Sequence, residues 1–338
     1  MNAPTIHYIG MCKTMTDGDD ALLRLARRRF EALGIGAEVY PSDPERLGAL
    51  REFLPEGAVS TAHLPYGWNL LNPDDFAAIV ACAQVGGLRG FTLHDSRRYT
   101  EEREAFLEAA RRLGDVLERA PGRPTLFIEY VHSDPLDVYR DKMSWLLDVP
   151  CLAPCVDAGH VAVEVCRQEL QRRLPNVDQD ALEPGTPGLP DIVEEVQGVV
   201  EMAREKAVEY VGTFLAMKWE KIHFHCHNVH PLSRLSPWPI RDHLSFLQQI
   251  ALPFPFRGRR VVDGAFNLAG VGRLHSRLLR GAKKCDVSVM LEIHRQPGRL
   301  PLGPDADLFS HWEDLTHAEE MNFHLELIAQ SYNVMTGV

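Results

Sequence analysis

The sequence lacks the features that mark membrane, secreted or zinc-finger proteins. No apolar run in its 338 residues approaches the length of about 18 residues that a membrane-spanning helix needs. The opening residues, MNAPTIHYIGMCKT, contain no basic stretch followed by an apolar core, so we expect no secretory signal and a cytoplasmic location. The seven cysteines form no C-x-x-C pair, which argues against a disulfide framework and against a zinc finger.

Positive charge is also scarce. The formal net charge is −11, so the chain has no general attraction for the phosphate backbone of nucleic acids, which proteins bind mainly through Lys and Arg. Hydrophobic residues make up 45% and charged residues 25% of the chain, values typical of a soluble globular protein. We therefore expect neither nucleic acid nor a membrane as a partner.

What the sequence does contain is a regular alternation of strand-like and helix-like segments. Short apolar runs predict eight strands, at residues 5–10, 37–40, 58–63, 90–95, 125–130, 151–157, 221–227 and 287–294. Helical periodicity covers residues 19–34, 101–120, 191–217 and 317–334. Strands that alternate with helices form parallel sheets, because a parallel pair needs a crossover connection. Eight such units predict an α/β fold, the (β/α)8 TIM barrel.

Two stretches interrupt this alternation. Residues 173–190 are rich in Pro, Gly and Asp and predict a long loop, and residues 228–262 predict a second loop around a short helical piece. Loops of this length are usually functional, and we expect both at the C-terminal mouth of the barrel or its rim. Within the second loop, Arg234 and Arg241 are the nearest candidates to bind a substrate phosphate. With no internal repeat or low-complexity linker, we expect one domain over residues 1–338.

Metal-capable side chains lie at the ends of six consecutive predicted strands. Active sites of TIM barrels lie at the C-terminal ends of the strands. Glutamates on apolar strands are costly to bury unless a metal or an arginine pairs with them. The residues at these ends are His63, His94, Glu129, Asp157 with His160 three positions later, the alternating His223, His225 and His227, and Glu292.

Several polar residues near these ends have an ordinary structural interpretation. Asp95 can cap the following helix, and Asp263 in VVDGAFN can belong to an Asp-Gly turn. His223 lies one pleat deeper than His225 on the same strand face, so we expect a buried structural histidine there. His227 and His230 fall where the strand gives way to the loop, and either rim residues or substrate contacts fit this position.

The motifs AHLP, LHDS, IEY, VDAGH, HFHCHN and LEIH, in this order on these strands, resemble the xylose isomerase-like TIM barrels over about residues 5–295. This superfamily includes sugar isomerases and epimerases and the endonuclease IV type of abasic-site nuclease (AP endonuclease family 2). The resemblance implies a metal-dependent enzyme. A homodimer is the assembly that it suggests.

The epimerase pattern of that superfamily implies one divalent ion, Mn, Co or Mg, bound by Glu129, Asp157, His225 and Glu292. It implies that Glu129 and Glu292 transfer a proton while the metal polarises the adjacent carbonyl or hydroxyl. His160 is expected to take part in catalysis, whereas His294 is not expected to contact the substrate. The leading functional prediction is an isomerase or epimerase, or a related lyase, of carbohydrate metabolism, acting on a sugar or a small polyhydroxy or keto compound.

The nuclease pattern implies a larger, multinuclear site with Zn or Fe. It adds His63, His94, His160 and Asp263 as ligands for a second metal, or as substrate-binding residues, and His227 is a further candidate for either role. One ligand of this pattern is missing, because Ala265 stands where the nucleases have a histidine. The alternative functional prediction is therefore a metallohydrolase that cleaves phosphodiesters with two or three metal ions. A catalytically silent barrel that serves as a binding protein is the third alternative.

Overall fold

The computed structural model describes residues 6–12, 19–179, 181–183, 185–232, 243–294 and 317–337. The chain divides into two compact units. Unit 1 contains residues 1–157, 213–225 and 278–291, and unit 2 contains residues 158–212, 226–277 and 292–338. The expectation of one domain over residues 1–338 stays a prediction.

Unit 1 carries a closed parallel barrel of eight strands, with only the last residue of β7 assigned to unit 2. The order around the barrel is β1, β10, β7, β6, β5, β4, β3, β2. This closed α/β barrel confirms the predicted TIM-barrel fold. The strands are β1 (Ile6–Met11), β2 (Gly36–Val39), β3 (Thr61–His63), β4 (Gly90–His94), β5 (Thr125–Glu129), β6 (Leu152–Asp157), β7 (Lys221–Cys226) and β10 (Asp286–Leu291).

Close approach between neighbouring strands explains why two of them begin with glycine. A Cβ atom on Gly36 would overlap the carbonyl oxygen of Val59, and one on Gly90 would overlap that of Thr125. Only glycine allows the backbones to approach this closely. The strands themselves are almost entirely buried, as expected for a parallel sheet that is covered on both faces.

The helices of unit 1 begin and end at residues suited to these positions. Asp19 caps α1 by accepting hydrogen bonds from the backbone N–H groups of Ala21 and Leu22, and Gly34 ends it with a left-handed φ of 68°. The helices are α1 (Asp20–Leu33), α2 (Pro44–Leu50) followed by a 3-10 turn (Arg51–Phe53), α3 (Pro73–Val85), α4 (Arg97–Glu101), α5 (Arg103–Arg119) and α6 (Leu136–Ser144).

Unit 2 contains α7 (Ala158–Arg173) and α10 (His317–Thr336). It also contains most of α8 (Leu189–Ala216) and of α9 (Leu268–Gly281), whose last residues belong to unit 1. The described residues between α7 and α8 form turns and irregular backbone, as the loop prediction for 173–190 requires.

The described part of this range, residues 228–232 and 243–262, contains no helix, so the predicted short helical piece is wrong there. The chain there forms an antiparallel hairpin of β8 (Gln249–Phe256) and β9 (Arg259–Asp263). Arg257 and Gly258 both have positive φ, 48° and 77°, which is the backbone of a two-residue hairpin turn. This turn, together with the β-propensity of the aromatic residues in LPFPF, overrides the weak helical pattern. Arg234 and Arg241 lie outside the described residues, so their predicted role stays a prediction.

Among the helices that the structure describes, none combines the length and the apolar character of a membrane span.

Candidate metal centres

Glu129, the last residue of β5, meets three imidazoles in unit 1. Its Oε2 lies 2.9 Å from His63 Nε2 and 3.3 Å from His94 Nε2, and its Oε1 lies 2.8 Å from His225 Nδ1. We call Glu129, these three histidines and Glu38 the Glu129 cluster. The carboxylate is almost fully buried, so these contacts stabilise a charge that would otherwise be costly to remove from water.

Strand register brings the members of the cluster together. His63 and His94 are the last residues of β3 and β4, and His94 pairs in register with Glu129. Because the carboxyl ends of parallel strands meet at one rim of a barrel, residues that end neighbouring strands must lie close together. The structure therefore brings together four residues that were selected from the sequence as candidates: His63, His94, Glu129 and His225.

Glu38 is a member of the cluster that the sequence analysis missed. It lies in β2, is fully buried, and its Oε2 accepts hydrogen bonds from Thr61 Oγ1 at 2.7 Å and Thr92 Oγ1 at 3.2 Å. Its two carboxylate oxygens also face the Nε2 atoms of His223 and His225, at 3.3 and 3.4 Å. The usable signal in the sequence is a carboxylate inside a short apolar strand, away from the strand ends where active-site residues are expected.

The charges of the cluster shift its protonation equilibria. Burial alone would raise the pKa of Glu129, but the charge of His225 and hydrogen bonds from His225 and His63 outweigh it and hold that pKa well below its usual range. The pKa of Glu38 is lowered in the same way, because His225 and His223 outweigh its burial. Burial would lower the pKa of His63, yet the hydrogen bond to Glu129 raises it. Both carboxyl groups are therefore ionised at neutral pH.

The distances within the cluster fit the coordination shell of a divalent ion. Metal–nitrogen bonds of about 2.1 Å place neighbouring ligand atoms about 3.4 Å apart in a tetrahedron and about 3.0 Å apart in an octahedron. The three contacts of Glu129 span 2.8 to 3.3 Å, and the ligand atoms of His63, His94 and Glu129 all lie within 4.8 Å of one another. The chemistry and spacing of these donors therefore suit a metal ion.

His63 also shows the outer hydrogen bond that is typical of a metal-binding histidine. Its Nδ1 lies 3.0 Å from the carbonyl oxygen of Leu64, while Nε2 faces Glu129. Metal-binding histidines generally donate the hydrogen of the second ring nitrogen to a carbonyl or carboxylate, which fixes the ring. The arrangement presents His63 Nε2 to the cluster.

Asp157 and His223 lie close to this cluster in the barrel. Asp157 ends β6, is fully buried and pairs in register with His225. Its role as a metal ligand stays a prediction. His223 is also fully buried, and its Nδ1 lies 2.8 Å from Ser288 Oγ. These contacts agree with the expected structural role of His223.

Asp95 does not cap a helix, contrary to its structural interpretation. Ser96 caps α4 instead, and the buried carboxylate of Asp95 binds the ammonium group of Lys142 at 2.8 and 2.9 Å. The same ammonium group, itself fully buried, lies 2.6 Å from Asp134 and donates to the Ser96 carbonyl. Asp95 prefers this contact because a buried cation pairs more strongly with a carboxylate than an exposed helix end does. Lys142 and Asp134 were not selected from the sequence.

Unit 2 holds a second group of metal-capable side chains, which we call the His243 cluster. It consists of His160, His227, His243, Glu292 and His294. The rings of His227 and His243 stack at 4.2 Å, those of His243 and His294 stack at 3.8 Å, and the ring of His160 meets His243 edge-on at 5.2 Å. Three of these residues, His160, His227 and Glu292, were selected from the sequence.

Glu292 supplies the carboxylate of the His243 cluster. Its Oε2 lies 3.4 Å from His243 Nε2 and its Oε1 lies 3.6 Å from His294 Nε2. The sequence does not predict a role for His243, because this residue lies far from any predicted strand end. Two imidazoles and one carboxylate are a donor set found in catalytic zinc and iron sites. This group can therefore also hold a metal.

His227 and His230 are both fully buried, and the choice between rim residues and substrate contacts stays a prediction. The backbone N–H of His243 donates to His227 Nδ1 at 2.8 Å, which occupies the lone pair of that nitrogen. The backbone N–H of Leu232 likewise donates to His230 Nδ1 at 3.0 Å. A Cβ atom on Gly159 would overlap the His227 ring, so a glycine is required there. These contacts favour His227 as a support of the loop that carries His243.

Asp263 ends strand β9 and does not form a turn. Its Oδ1 accepts a hydrogen bond from Gln249 Nε2 across the hairpin at 2.6 Å. Its backbone carbonyl lies 3.4 Å from Gln197 Nε2. The predicted role of Asp263 as a second-metal ligand stays a prediction. Ala265, at the position of the missing ligand, is buried and donates its backbone N–H to Val229.

Comparison with protein-family models gave no match, and comparison with curated proteins gave none either. Similar solved structures include a xylose isomerase domain protein from Planctomyces limnophilus, with 10% identity, a TM-score of 0.46 and complete coverage of both chains. A second such protein, from Alicyclobacillus acidocaldarius subsp. acidocaldarius, has 14% identity and a TM-score of 0.44, with 98% of this chain and 100% of the other covered. A structure described as AsfvAP:AG has 11% identity and a TM-score of 0.45, with 96% and 99% covered.

Proposed function

We propose that the chain is a divalent-metal-dependent enzyme, an isomerase or epimerase or a related lyase, that acts on a sugar or another small polyhydroxylated or keto compound. The observation that carries this proposal is the convergence of His63, His94 and His225 on the buried carboxylate of Glu129. Such a group at the C-terminal ends of barrel strands lies where TIM-barrel enzymes have their active sites.

In this proposal the residues of the chain have separate roles. His63, His94, Glu129 and His225 hold the ion, with Asp157 as a further proposed ligand. A bound divalent ion would polarise a carbonyl or hydroxyl group of the substrate. Glu129 and Glu292 are proposed as the proton-transferring groups, and His160 as a catalytic residue. The lowered pKa of Glu129, caused by its imidazole partners outweighing its burial, keeps it ionised, as a metal-binding carboxylate must be.

The donor set favours particular metals. Three imidazoles with one or two carboxylates are softer than the carboxylate-rich set expected from the epimerase pattern. Imidazole ligands suit Zn and Fe, whereas Mg and Mn prefer oxygen ligands. We therefore propose Zn or Fe at the Glu129 cluster ahead of Mn or Mg.

A second candidate function is a metallohydrolase that cleaves phosphodiesters with more than one metal. The specific observation in its favour is the His243 cluster, because a second group of imidazoles and a carboxylate gives the chain donors for an additional ion. The acidic net charge weighs against a nucleic-acid substrate.

Metal analysis combined with two activity assays tests both candidates. Protein purified without added metal is analysed for bound ions, then incubated in D2O with a panel of aldoses and ketoses to detect exchange of carbon-bound hydrogen. Incision of a duplex with one abasic site is measured in parallel. We expect metal and exchange in the wild type and the loss of both in Glu129→Gln, whereas Glu104→Gln, an exposed change on α5, behaves like the wild type.

Two outcomes would contradict the first candidate. Full metal content and full hydrogen exchange in Glu129→Gln would show that Glu129 neither binds the metal nor takes part in catalysis. Incision without any exchange, together with two or more equivalents of Zn or Fe, would favour the hydrolase.

A further inference from the structure

Glu38 is a fully buried carboxylate in the barrel for which the sequence suggested no role. Burying an ionised carboxylate is costly unless hydrogen bonds and opposite charge compensate it. Two hydroxyl groups meet this need on one side, because Thr61 Oγ1 and Thr92 Oγ1 both donate to Glu38 Oε2. His223 Nε2 lies 3.3 Å from the same oxygen. Three groups therefore hold Oε2 in one place.

The other oxygen, Oε1, faces the candidate ligand His225. It makes no hydrogen bond of standard geometry among the described residues, and His225 Nε2 lies 3.4 Å from it. Because Oε2 is held by the threonines and His223, the carboxylate cannot turn away without breaking those contacts. Glu38 Oε1 thus stays directed at the His225 ring.

His225 lies between two carboxylates that contact different ring nitrogens. Its Nδ1 lies 2.8 Å from Glu129 Oε1, and its Nε2 faces Glu38. An imidazole that binds a metal through one nitrogen carries its proton on the other, and a carboxylate or carbonyl beside that second nitrogen fixes both the proton and the ring orientation. Glu129 occupies the side of the metal donors, so Glu38 is placed to be the second partner.

We propose that Glu38 is a positioning residue. It fixes the His225 ring and keeps a proton on Nε2, so that Nδ1 points into the Glu129 cluster. The inference rests on the proposed function only in assuming that His225 Nδ1 binds a metal ion. The contact between Glu38 and His225 exists without any metal. A purely structural Glu38 would stabilise the barrel without influencing metal affinity or the ring protons of His225.

The first test is the dissociation constant of zinc, measured by competition with a chromogenic chelator. Loss of an outer partner of a metal-binding histidine typically weakens binding by about 10- to 100-fold. We expect this loss in Glu38→Ala and a smaller one in Glu38→Gln, whose amide oxygen can still accept a hydrogen bond. Glu104→Ala is the control, since it removes an exposed carboxylate on α5, and we expect less than about a threefold change.

The second test is nitrogen-15 NMR of the histidine side chains, with His225 assigned through His225→Gln. In metal-free protein we expect a slowly exchanging proton on His225 Nε2 that is lost in Glu38→Ala and retained in Glu104→Ala. With zinc, we expect Nε2 to keep its proton while Nδ1 has none. Circular dichroism checks that each variant is folded, and Glu38→Gln decides both tests if the alanine variant does not fold.

The outcomes separate this inference from the proposed function. If wild-type protein binds no zinc at this cluster, the proposed function fails, and the NMR of metal-free protein still decides whether Glu38 holds the ring. If zinc binds but the dissociation constants of both Glu38 variants stay within about threefold of wild type, Glu38 is not a positioning residue. An unchanged His225 Nε2 signal in both variants overturns the inference as well.

Discussion

The two clusters of metal-capable side chains are built in different ways. In unit 1, the Glu129 cluster takes all of its members from barrel strands, and its contacts to Glu129 measure 2.8 to 3.3 Å. In unit 2, the His243 cluster takes its members from the first turn of α7 and from irregular backbone after β7 and β10, and its contacts to Glu292 measure 3.4 and 3.6 Å. Strands thus give the tighter arrangement.

The difference lies in what fixes each side chain. The backbone hydrogen bonds of the barrel fix the register of β3, β4, β5 and β7, so the positions of their last residues follow from the fold. The second cluster depends on single hydrogen bonds, such as that from the His243 backbone to His227, and on close packing at Gly159. We therefore expect the first cluster to withstand local changes that alter the second.

The largest expected effect concerns the free energy of unfolding that the buried ion pairs after β4 contribute to unit 1. Lys142→Met leaves the buried carboxylates of Asp95 and Asp134 without their cation, and breaking a buried ion pair in this way costs about 3 to 5 kcal/mol. Urea unfolding at pH 7 would measure the loss of unfolding free energy. A loss below about 1 kcal/mol would show that water or rearrangement replaces the ammonium group.

The same variant has a pH dependence of known sign. Burial raises the pKa of Asp95 above its usual value even with Lys142 present to lower it. A group whose folded pKa is raised binds protons more readily in the folded state, so its contribution to stability increases as pH falls. We expect the deficit of Lys142→Met relative to wild type to shrink between pH 7 and pH 5. A deficit that is constant over this range would contradict the assignment.

The next effect tests whether the two clusters bind metal separately. Glu129→Gln removes the charged oxygens that three imidazoles share, and we expect zinc affinity at the Glu129 cluster to fall by more than about 100-fold, or about 2.7 kcal/mol. A titration followed by metal analysis would show one class of site lost while any binding at the His243 cluster remains. Loss of all bound metal would mean that the two clusters do not act separately.

A smaller effect concerns the support of the His243 cluster. Gly159→Ala places a methyl group in the His227 ring, and overpacking of this kind costs about 1 to 3 kcal/mol. Gly272→Ala in α9 is the matched control, because its Cβ atom would meet no other atom within 4 Å and a helical alanine is favoured by about 0.5 to 1 kcal/mol. The midpoint temperature of thermal unfolding should therefore fall in Gly159→Ala and rise in Gly272→Ala. Shifts of the same sign would show that the His227 ring can move aside.

The smallest effect tests the His243 cluster itself. His243→Ala removes one of its imidazoles, and we expect the affinity for a second zinc equivalent to fall by about tenfold, or about 1.4 kcal/mol, with binding of the first equivalent unchanged. His275→Ala, a half-buried histidine of α9, controls for the loss of any one imidazole. Equal zinc binding by wild type and His243→Ala would remove the His243 cluster as a metal site.

The sequence was sufficient to predict the barrel and the residues that end its strands. Apolar β-branched runs separated by helical periodicity marked all eight strands, each within a few residues of its observed bounds. His63, His94, Glu129 and His225 could be selected because a parallel barrel gathers the carboxyl ends of its strands at one rim. Strand order and register alone are enough to predict that these four residues lie close together.

The parts that the sequence did not reveal depend on contacts between residues far apart in the chain. Glu38 lies in the middle of a strand, and only the closed barrel brings it beside His225, 187 positions later. His243 lies 16 positions beyond the predicted end of the seventh strand at residue 227, so no strand periodicity indicates where its ring lies. The hairpin of β8 and β9 was missed because its turn is formed by Arg257, a residue type that rarely adopts positive φ.

The environment of Lys142 also has a consequence for chemical labelling. An ammonium group that is fully buried and bound to two carboxylates is out of reach of acylating reagents and has no free lone pair with which to attack them. Exposed lysines of the chain react from the folded state, whereas Lys142 must first be released. The rate at which its peptide gains mass in a labelling experiment therefore reports how often this part of the barrel opens.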